Sequence, residues 1–315
     1  LNFNNKPFST TAVFHKPSYI SLDYELSKPD SFFWKSPLRL GTEAEKFISQ
    51  ERINNAADFK PIGLSSPKRY LWDTSERQEE WIFCLRRNGE QAQPVNWEGV
   101  TTRLSSAGEL PHNPNIEVGG KASYSRSSIN TFVFLEILCQ IFRQINSCEF
   151  RTNHSNDTYR RKLDNIVISC PTGMSRDDQV NLRKACINAL NIYHGSDNYR
   201  TNIIPSIEDV SCPITELNER INWMYDESTV SQILWLYNEL RNNFSSRLES
   251  FSNAYNCNES LRIASIDIGG GTSDLMICDY TLDKNQDVAV ATPKPVFWDT
   301  IYEAGDDLKR VLLQN

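Results

Sequence analysis

The chain of 315 residues is poor in the side chains that build metal centres. It has only four histidines, at 15, 112, 154 and 194, with no spacing that suits a metal site or a catalytic triad. Its eight cysteines include no C-x-x-C pair, which argues against a structural zinc site. Long apolar runs are missing too. The longest, around Phe132 to Phe142, is interrupted by Glu136 and Gln140 and is too short for a bilayer core about 30 Å thick. No charged-then-apolar signal segment opens the chain. Positive charge is not in excess, with 33 Lys and Arg against 40 Asp and Glu and a net charge of −7. That balance argues against nucleic acid as a partner, while leaving room for a local basic pocket. There is no internal repeat. A P-loop is excluded because no G-K-[ST] follows a glycine run, and a Rossmann fingerprint because no G-x-G-x-x-G opens a helix.

The length suits one large domain or two medium ones, with ample material for a core. Cys139, Cys170, Cys186 and Cys278 sit inside apolar runs and read as buried thiols. Buried thiols fit a reducing, cytoplasmic compartment better than a disulfide scaffold. The start at Leu1 and the end at Asn315 read as a piece of something longer.

Periodicity places the main elements. Thr42 to Gln50 reads as a helix with acids in its first turn. Residues 88–126, rich in Gly, Pro, Asn and Ser, read as a long irregular insertion. Ser128 to Ile145 carries apolar residues at helical spacing and reads as a mostly buried helix. Asn165 to Cys170, N-I-V-I-S-C, is an apolar run without alternation, which predicts a strand covered on both faces. Ser175 with Asp178 predicts a capped helix start, and residues 194–222 a loop. Glu227 to Leu248 reads as one more amphipathic helix. Leu261 to Tyr280 reads as strand, glycine turn, strand. Trp72, Trp81, Trp223, Trp235 and Tyr237 read as packing residues.

The glycine turn carries the chemistry. Three consecutive glycines, Gly269, Gly270 and Gly271, cost backbone entropy, so the turn needs a reason to hold them. Without Cβ atoms, successive N–H groups can close around an anion such as phosphate. Thr272 adds a hydroxyl at the rim. Asp267 ends the incoming strand and suits Mg²⁺ held through water, because hard cations take carboxylate oxygens. Asp274 begins the returning strand and could orient the loop. A plain hairpin is the competing reading, but hairpins favour Asn-Gly or Asp-Gly and rarely use three glycines.

The segment D-I-G-G-G-T-S-D-L, Asp267 to Leu275, closely resembles the second phosphate motif of the actin/Hsp70/sugar-kinase superfamily. Other segments follow in the order of the Hsp70 chaperones. Pro17-Ser18-Tyr19 looks like an early strand, and Gly41 to Ala44 with Lys46 like the helix after it. Pro67-Lys68-Arg69-Tyr70-Leu71 resembles a segment whose lysine assists hydrolysis. Residues 128–145 match a buried helix. Val167 to Thr172 looks like a central strand. Asp226-Glu227-Ser228-Thr229 resembles N-E-P-T, with its water-orienting glutamate. Ala304 to Leu308 resembles a helix start. The segments S-S-P-K-R-Y-L-W-D and Y-D-E-S-T further resemble the SrfB-type bacterial virulence-factor family, whose members are long and Hsp70-like.

The resemblance implies an α/β, actin-like ATPase (RNase H-like) two-lobed fold, present as a fragment. Residues 1–127 would be edge strands and a peripheral inserted subdomain, 128–255 the first-lobe core, and 256–315 the start of the second lobe. It implies ATP or ADP with Mg²⁺ as cofactors, hydrolysis coupled to lobe closure, and a protein partner in a bacterial cytoplasm, with export to a host cell left open. Asp267 would hold hydrated Mg²⁺. Gly269, Gly270, Gly271 and Thr272 would cradle phosphates, Lys68 would stabilise charge, and Glu227 would orient the attacking water. Alternatives stay open at several points. Lys68 can be a solvated turn residue, and Arg69 the functional cation. Glu227 can be a first-turn acid, with Glu208 its competitor. Asp306 and Asp307 read as capping acids. A switch or scaffold with little turnover and a sugar- or acetate-kinase-like phosphotransferase are the rival functions. The sequence departs from the chaperone pattern as well. Residues 1–16 carry no first phosphate motif, no adenosine motif is present, 194–222 is longer, and Ser228 stands where the motif has proline.

Overall fold

The computed structural model describes residues 11–15, 35–54, 61–84, 91–97, 99–113, 116–118, 121–154, 159–195, 200–211, 226–257, 260–283 and 290–314. Pro17-Ser18-Tyr19, Trp223 and Cys212 lie outside them. The chain divides into two compact units. One holds residues 1–166 with 181–202, the other 167–180 with 203–315.

The first unit is built on a three-stranded antiparallel sheet. Strand β1 (Thr11–Phe14) lies between β2 (Leu38–Leu40) and β3 (Gly63–Ser65), with Ala12 opposite both Leu40 and Leu64. Helix α1 (Gly41–Asn54) follows β2 directly and contains the expected segment 42–50. Phe14, Trp81, Tyr124 and Phe132 form the centre of the core, with ring centroids 5.3–5.7 Å apart. Each buried aromatic or aliphatic side chain there contributes roughly 1.5–3 kcal/mol. The Trp81 indole donates to Tyr124 O at 2.8 Å, and the Tyr124 hydroxyl donates to Thr101 O at 2.6 Å, so neither polar tip is stranded.

The irregular stretch 88–126 is irregular in the structure, with one 3-10 turn at Thr101–Arg103 among its described residues. Yet it supplies Val95, Leu104, Ala122 and Tyr124 to the core. Helix α2 (Ile129–Ile145) buries Ile129, Phe132, Leu135, Leu138, Cys139 and Phe142 along one side. Glu136, which breaks its apolar run, is only 1% exposed. Its carboxylate lies 3.4 Å from the Arg39 guanidinium and accepts from Gln140 at 2.9 Å, so the buried charge is compensated. A short α3 (Cys148–Asn153) follows, capped by Ser147.

Strand β4 (Asn165–Val167) pairs with β5 (Asn202–Ile204) as a two-stranded ribbon. The strand predicted over 165–170, covered on both faces, is shorter and more exposed than expected. Only three residues are strand, and Val167 is 61% exposed. The burial falls instead on Ile168 and Cys170. After the Ile168 N–H donates to Ile204 O at 2.9 Å, Cys170 makes a parallel bridge with Asp226, and Pro171 ends the run. Helix α4 (Arg176–His194) starts as read from the sequence. Ser175 Oγ accepts from Asp178 N at 3.2 Å and donates to the Asp178 carboxylate at 2.8 Å. The loop expected over 194–222 contains β5 and a short α5 (Ile207–Ser211).

In the second unit the single helix expected over 227–248 is two. Helix α6 (Glu227–Asn242) ends before Ser245 and Ser246, both left-handed with φ of 50° and 62°, and α7 (Leu248–Ala254) follows. Consecutive left-handed residues cannot continue a right-handed helix. The expected hairpin is present as β6 (Ser260–Ile268) and β7 (Ser273–Asp283). A third antiparallel strand, β8 (Val290–Ile301), adds to β7 and was not read from the sequence, because Pro293 and Pro295 speak against a strand. β8 is an edge strand of the three, where proline is tolerated. Met276, Cys278, Tyr280 and Leu282 on one sheet face bury against Ile233, Leu236 and Leu240 of α6 and Phe251 of α7. On the other face Ile266, Ile268, Phe297 and Ile301 are exposed. Helix α8 (Gly305–Gln314) closes the described chain.

None of the seven described cysteines forms a disulfide, and Cys139, Cys170, Cys186 and Cys278 are buried, as expected. Burial pushes the Cys139 and Cys186 thiols up to about 12, so they stay protonated. Among the described residues no helix is long and apolar enough to cross a membrane.

Candidate functional site

The site lies at the glycine end of the β6–β7 hairpin. The turn is closed by Gly269 N–H donating to Thr272 O at 2.9 Å. A Cβ on Gly269 would sit 3.2 Å from that same oxygen, so a side chain there would press on the turn. Gly305 N–H, at the start of α8, donates to Gly269 O at 3.0 Å and ties that segment to the loop. Asp307 accepts from Ala304 N–H at 3.2 Å, which makes it the capping acid expected of it.

Register then decides which acids meet. Asp267 faces Asp274 across the hairpin, and Asp274 faces Thr300 on β8. Partners in an antiparallel sheet point to the same face, two residues along from Met276, so this row faces the α6 side. Asp274 is only 3% exposed and fully engaged. One carboxylate oxygen accepts from Thr300 Oγ1, and the other from Thr272 Oγ1 at 3.1 Å. Thr300 Oγ1 in turn accepts from Gly173 N–H at 2.7 Å.

Glu227 enters from α6. Its backbone N–H donates to Cys170 O at 2.9 Å. Asp226 before it is the N-cap, and its Oδ1 accepts from Thr229 N–H at 2.9 Å and from Thr172 Oγ1 at 2.8 Å. Its Oδ2 is buried with no hydrogen-bond partner among the described residues. Burial pushes the Asp226 carboxyl above the usual range, against the pull of those hydrogen bonds. Asp267 is likewise pushed up, first by partial burial, then by the charges of Glu227 and Asp274. Glu227 and Asp274 thus act electrostatically on the same carboxyl. Such a group of like charges is relieved by a cation or by a proton.

Behind the acids the covered face is polar for one more layer. The Gln232 amide donates to Ser265 Oγ at 2.6 Å and to Met276 O at 3.3 Å, and accepts from the Tyr280 hydroxyl at 3.0 Å.

The structure therefore brings together Asp267, Gly269, Gly270, Gly271, Thr272 and Glu227 in one unit. Lys68 belongs to the other unit, where it is exposed in the 3-10 turn Pro67–Tyr70, and Asn130 anchors that turn by donating to Pro67 O at 3.1 Å. Glu208 lies in the first turn of α5. The sequence motifs assign no role to Thr172, Gly173, Asp226 or Thr300. Thr300 had no readable signal, because its strand was missed. Asp226 had one: an Asp directly before a helical period is an N-cap signature. In the first unit a polar cleft of about 230 Å³ is lined by Thr74, Gly108, Thr131, Asn181, Lys184 and Asn188, none of which the sequence singled out.

In chemical terms the second unit carries a glycine-turned hairpin with an acidic rim, set on the N-terminal end of a helix. The chain belongs to the SrfB family: the family described as Virulence factor SrfB matches residues 3–315. None of the curated proteins matches the chain.

Proposed function

We propose that this SrfB-family chain carries the phosphate-loop wall of an ATP site of the actin and Hsp70 type, and that the full-length protein hydrolyses ATP with Mg²⁺. The observation that carries the reading is the pair Asp267–Asp274 beside the Gly269–Thr272 turn, with the charge of Glu227 acting on Asp267. Bare N–H groups of the turn would meet phosphate oxygens, with the Thr272 hydroxyl at the rim. Among the described residues no group of three or more His, Cys, Asp or Glu could hold a metal ion by itself. Mg²⁺ keeps several waters and is bound by one or two carboxylates plus substrate phosphates. Asp267 would hold it through water, beside the charges of Glu227 and Asp274. The ion, when bound, would neutralise phosphate charge. Glu227 would orient the water that attacks the γ-phosphorus as the bond to the β-phosphate oxygen breaks. The fold this reading implies is the two-lobed actin-like one, with lobe closure coupled to a protein partner in a bacterial, virulence-associated setting.

ATP turnover by the full-length protein tests it, with Asp267→Ala and Glu227→Ala alongside. Turnover in the parent, lost in both variants, supports the reading. Tight binding without turnover supports a second one, a nucleotide switch, which Ser228 in place of the motif's proline favours. A phosphoryl acceptor that accelerates ATP consumption would instead indicate a kinase.

A further inference from the structure

The turn after β4 holds two residues that donate in different directions. Thr172 Oγ1 donates to Asp226 Oδ1 at 2.8 Å, and Gly173 N–H donates to Thr300 Oγ1 at 2.7 Å. The first bond reaches the N-cap of α6, one residue before Glu227. The second reaches Thr300, whose hydroxyl donates to Asp274, the carboxylate that also receives Thr272 of the glycine turn. One dipeptide therefore holds the helix that presents Glu227 and the row that presents the loop.

Two further facts show that the junction is built to tight tolerance. A Cβ on Gly173 would lie 2.6 Å from Thr300 Oγ1 and 2.7 Å from Thr300 Cβ, closer than side-chain carbons approach, so the contact exists only because residue 173 is glycine. Thr172 and Asp226 are both only 7% exposed, so their bond is shielded from water. The backbone reinforces the helix side, through the parallel bridge of Cys170 with Asp226 and the Glu227 N–H bond to Cys170 O.

We infer that Thr172 and Gly173 are positioning residues of this site: Thr172, through Asp226, sets where Glu227 stands, and Gly173, through Thr300, sets where the phosphate turn stands. The inference rests on the ATP-site reading above and adds that the two halves are set separately from one turn. Thr172→Val keeps the shape and removes the donor to Asp226. The Glu227 side should shift while the loop side stays in place. Gly173→Ala forces Thr300 aside and should disturb the loop side first. Misplacement of a water-orienting group costs turnover, whereas misplacement of a phosphate cradle costs affinity as well.

The test uses the full-length protein with two readouts, equilibrium binding of ADP with Mg²⁺ and steady-state ATP turnover, for the parent, Thr172→Val, Thr172→Ser and Gly173→Ala. Circular dichroism and thermal melting accompany each variant. The expected result is a split. Thr172→Val lowers kcat about tenfold or more with little change in Kd, Thr172→Ser restores kcat, and Gly173→Ala weakens Kd about tenfold or more. Thr300→Ser, which keeps the hydroxyl, serves where Gly173→Ala fails to fold, and it should bind like the parent while Thr300→Val does not. If Thr172→Val weakens Kd as much as Gly173→Ala does, or neither variant changes Kd or kcat, the positioning inference is overturned while the ATP site stands. If the parent binds no nucleotide, the ATP-site reading falls, and this inference falls with it.

Discussion

The two ends of one sheet face follow opposite rules. At the far end, Met276, Cys278, Tyr280 and Leu282 are closed over by α6 and α7 and leave water almost completely. At the turn end the same strands, on the same face, present Asp267, Asp274 and Thr300 beside Asp226 and Glu227. Burial of apolar surface accounts for the first end. At the second, the carboxyls of Asp226 and Asp267 have raised pKa values, and one oxygen of Asp226 has no hydrogen-bond partner among the described residues, at a cost to stability. A fold that only needed a stable hairpin would have continued the apolar row. Crowded acids with shifted pKa values are the usual mark of a site that handles charge.

The contrast can be broken first at its apolar end. Met276→Ala removes a fully buried side chain and should cost about 2–5 kcal/mol, read as lost hydrogen-exchange protection of the β6 and β7 amides. Asp226→Ala comes next. Losing an N-cap costs about 0.5–2 kcal/mol. Asp226→Asn keeps the cap, can still accept from Thr172 and Thr229, and removes the buried charge, so it should be at least as stable as the parent in the same measurement at neutral pH.

The pH dependence sharpens the comparison. Asp226 and Asp267 have folded pKa values raised above their unfolded ones, so the folded state binds protons more readily at both positions. The stability they contribute is fully present below about pH 4 and is lost as pH rises through the raised values. Asp279, held low by its bond to Arg262, contributes with the opposite sign, losing its stabilisation as pH falls. Asp267→Asn should flatten the loss as pH rises above about 4, seen in melting temperature against pH. The smallest effect is expected on the uncovered face, where Ile266→Thr, at a residue 72% exposed, should change stability within about 0.5 kcal/mol.

What the sequence disclosed follows the range of the forces involved. Local signals held. The Ser175–Asp178 cap, the buried helix from 129 and the glycine hairpin all rest on neighbours a few residues apart. Non-local ones did not. β8 hid behind Pro293 and Pro295, which only an edge position tolerates. The run 165–170 looked like a doubly covered strand because its apolar residues are buried, yet they are buried outside the strand. In the site, Asp267 and the glycines were legible from spacing. The Thr172–Asp226 and Gly173–Thr300 bonds, spanning 54 and 127 residues, leave no periodic trace.

The most direct measurement is calorimetric titration of the full-length protein with ATP, with and without Mg²⁺, beside Asp267→Asn. The account predicts saturable binding in the parent that strengthens with Mg²⁺, and a variant in which the Mg²⁺ dependence is lost while the fold is kept. A folded parent that binds no nucleotide with Mg²⁺ present, or an Asp267→Asn variant with undiminished Mg²⁺ dependence, would contradict it.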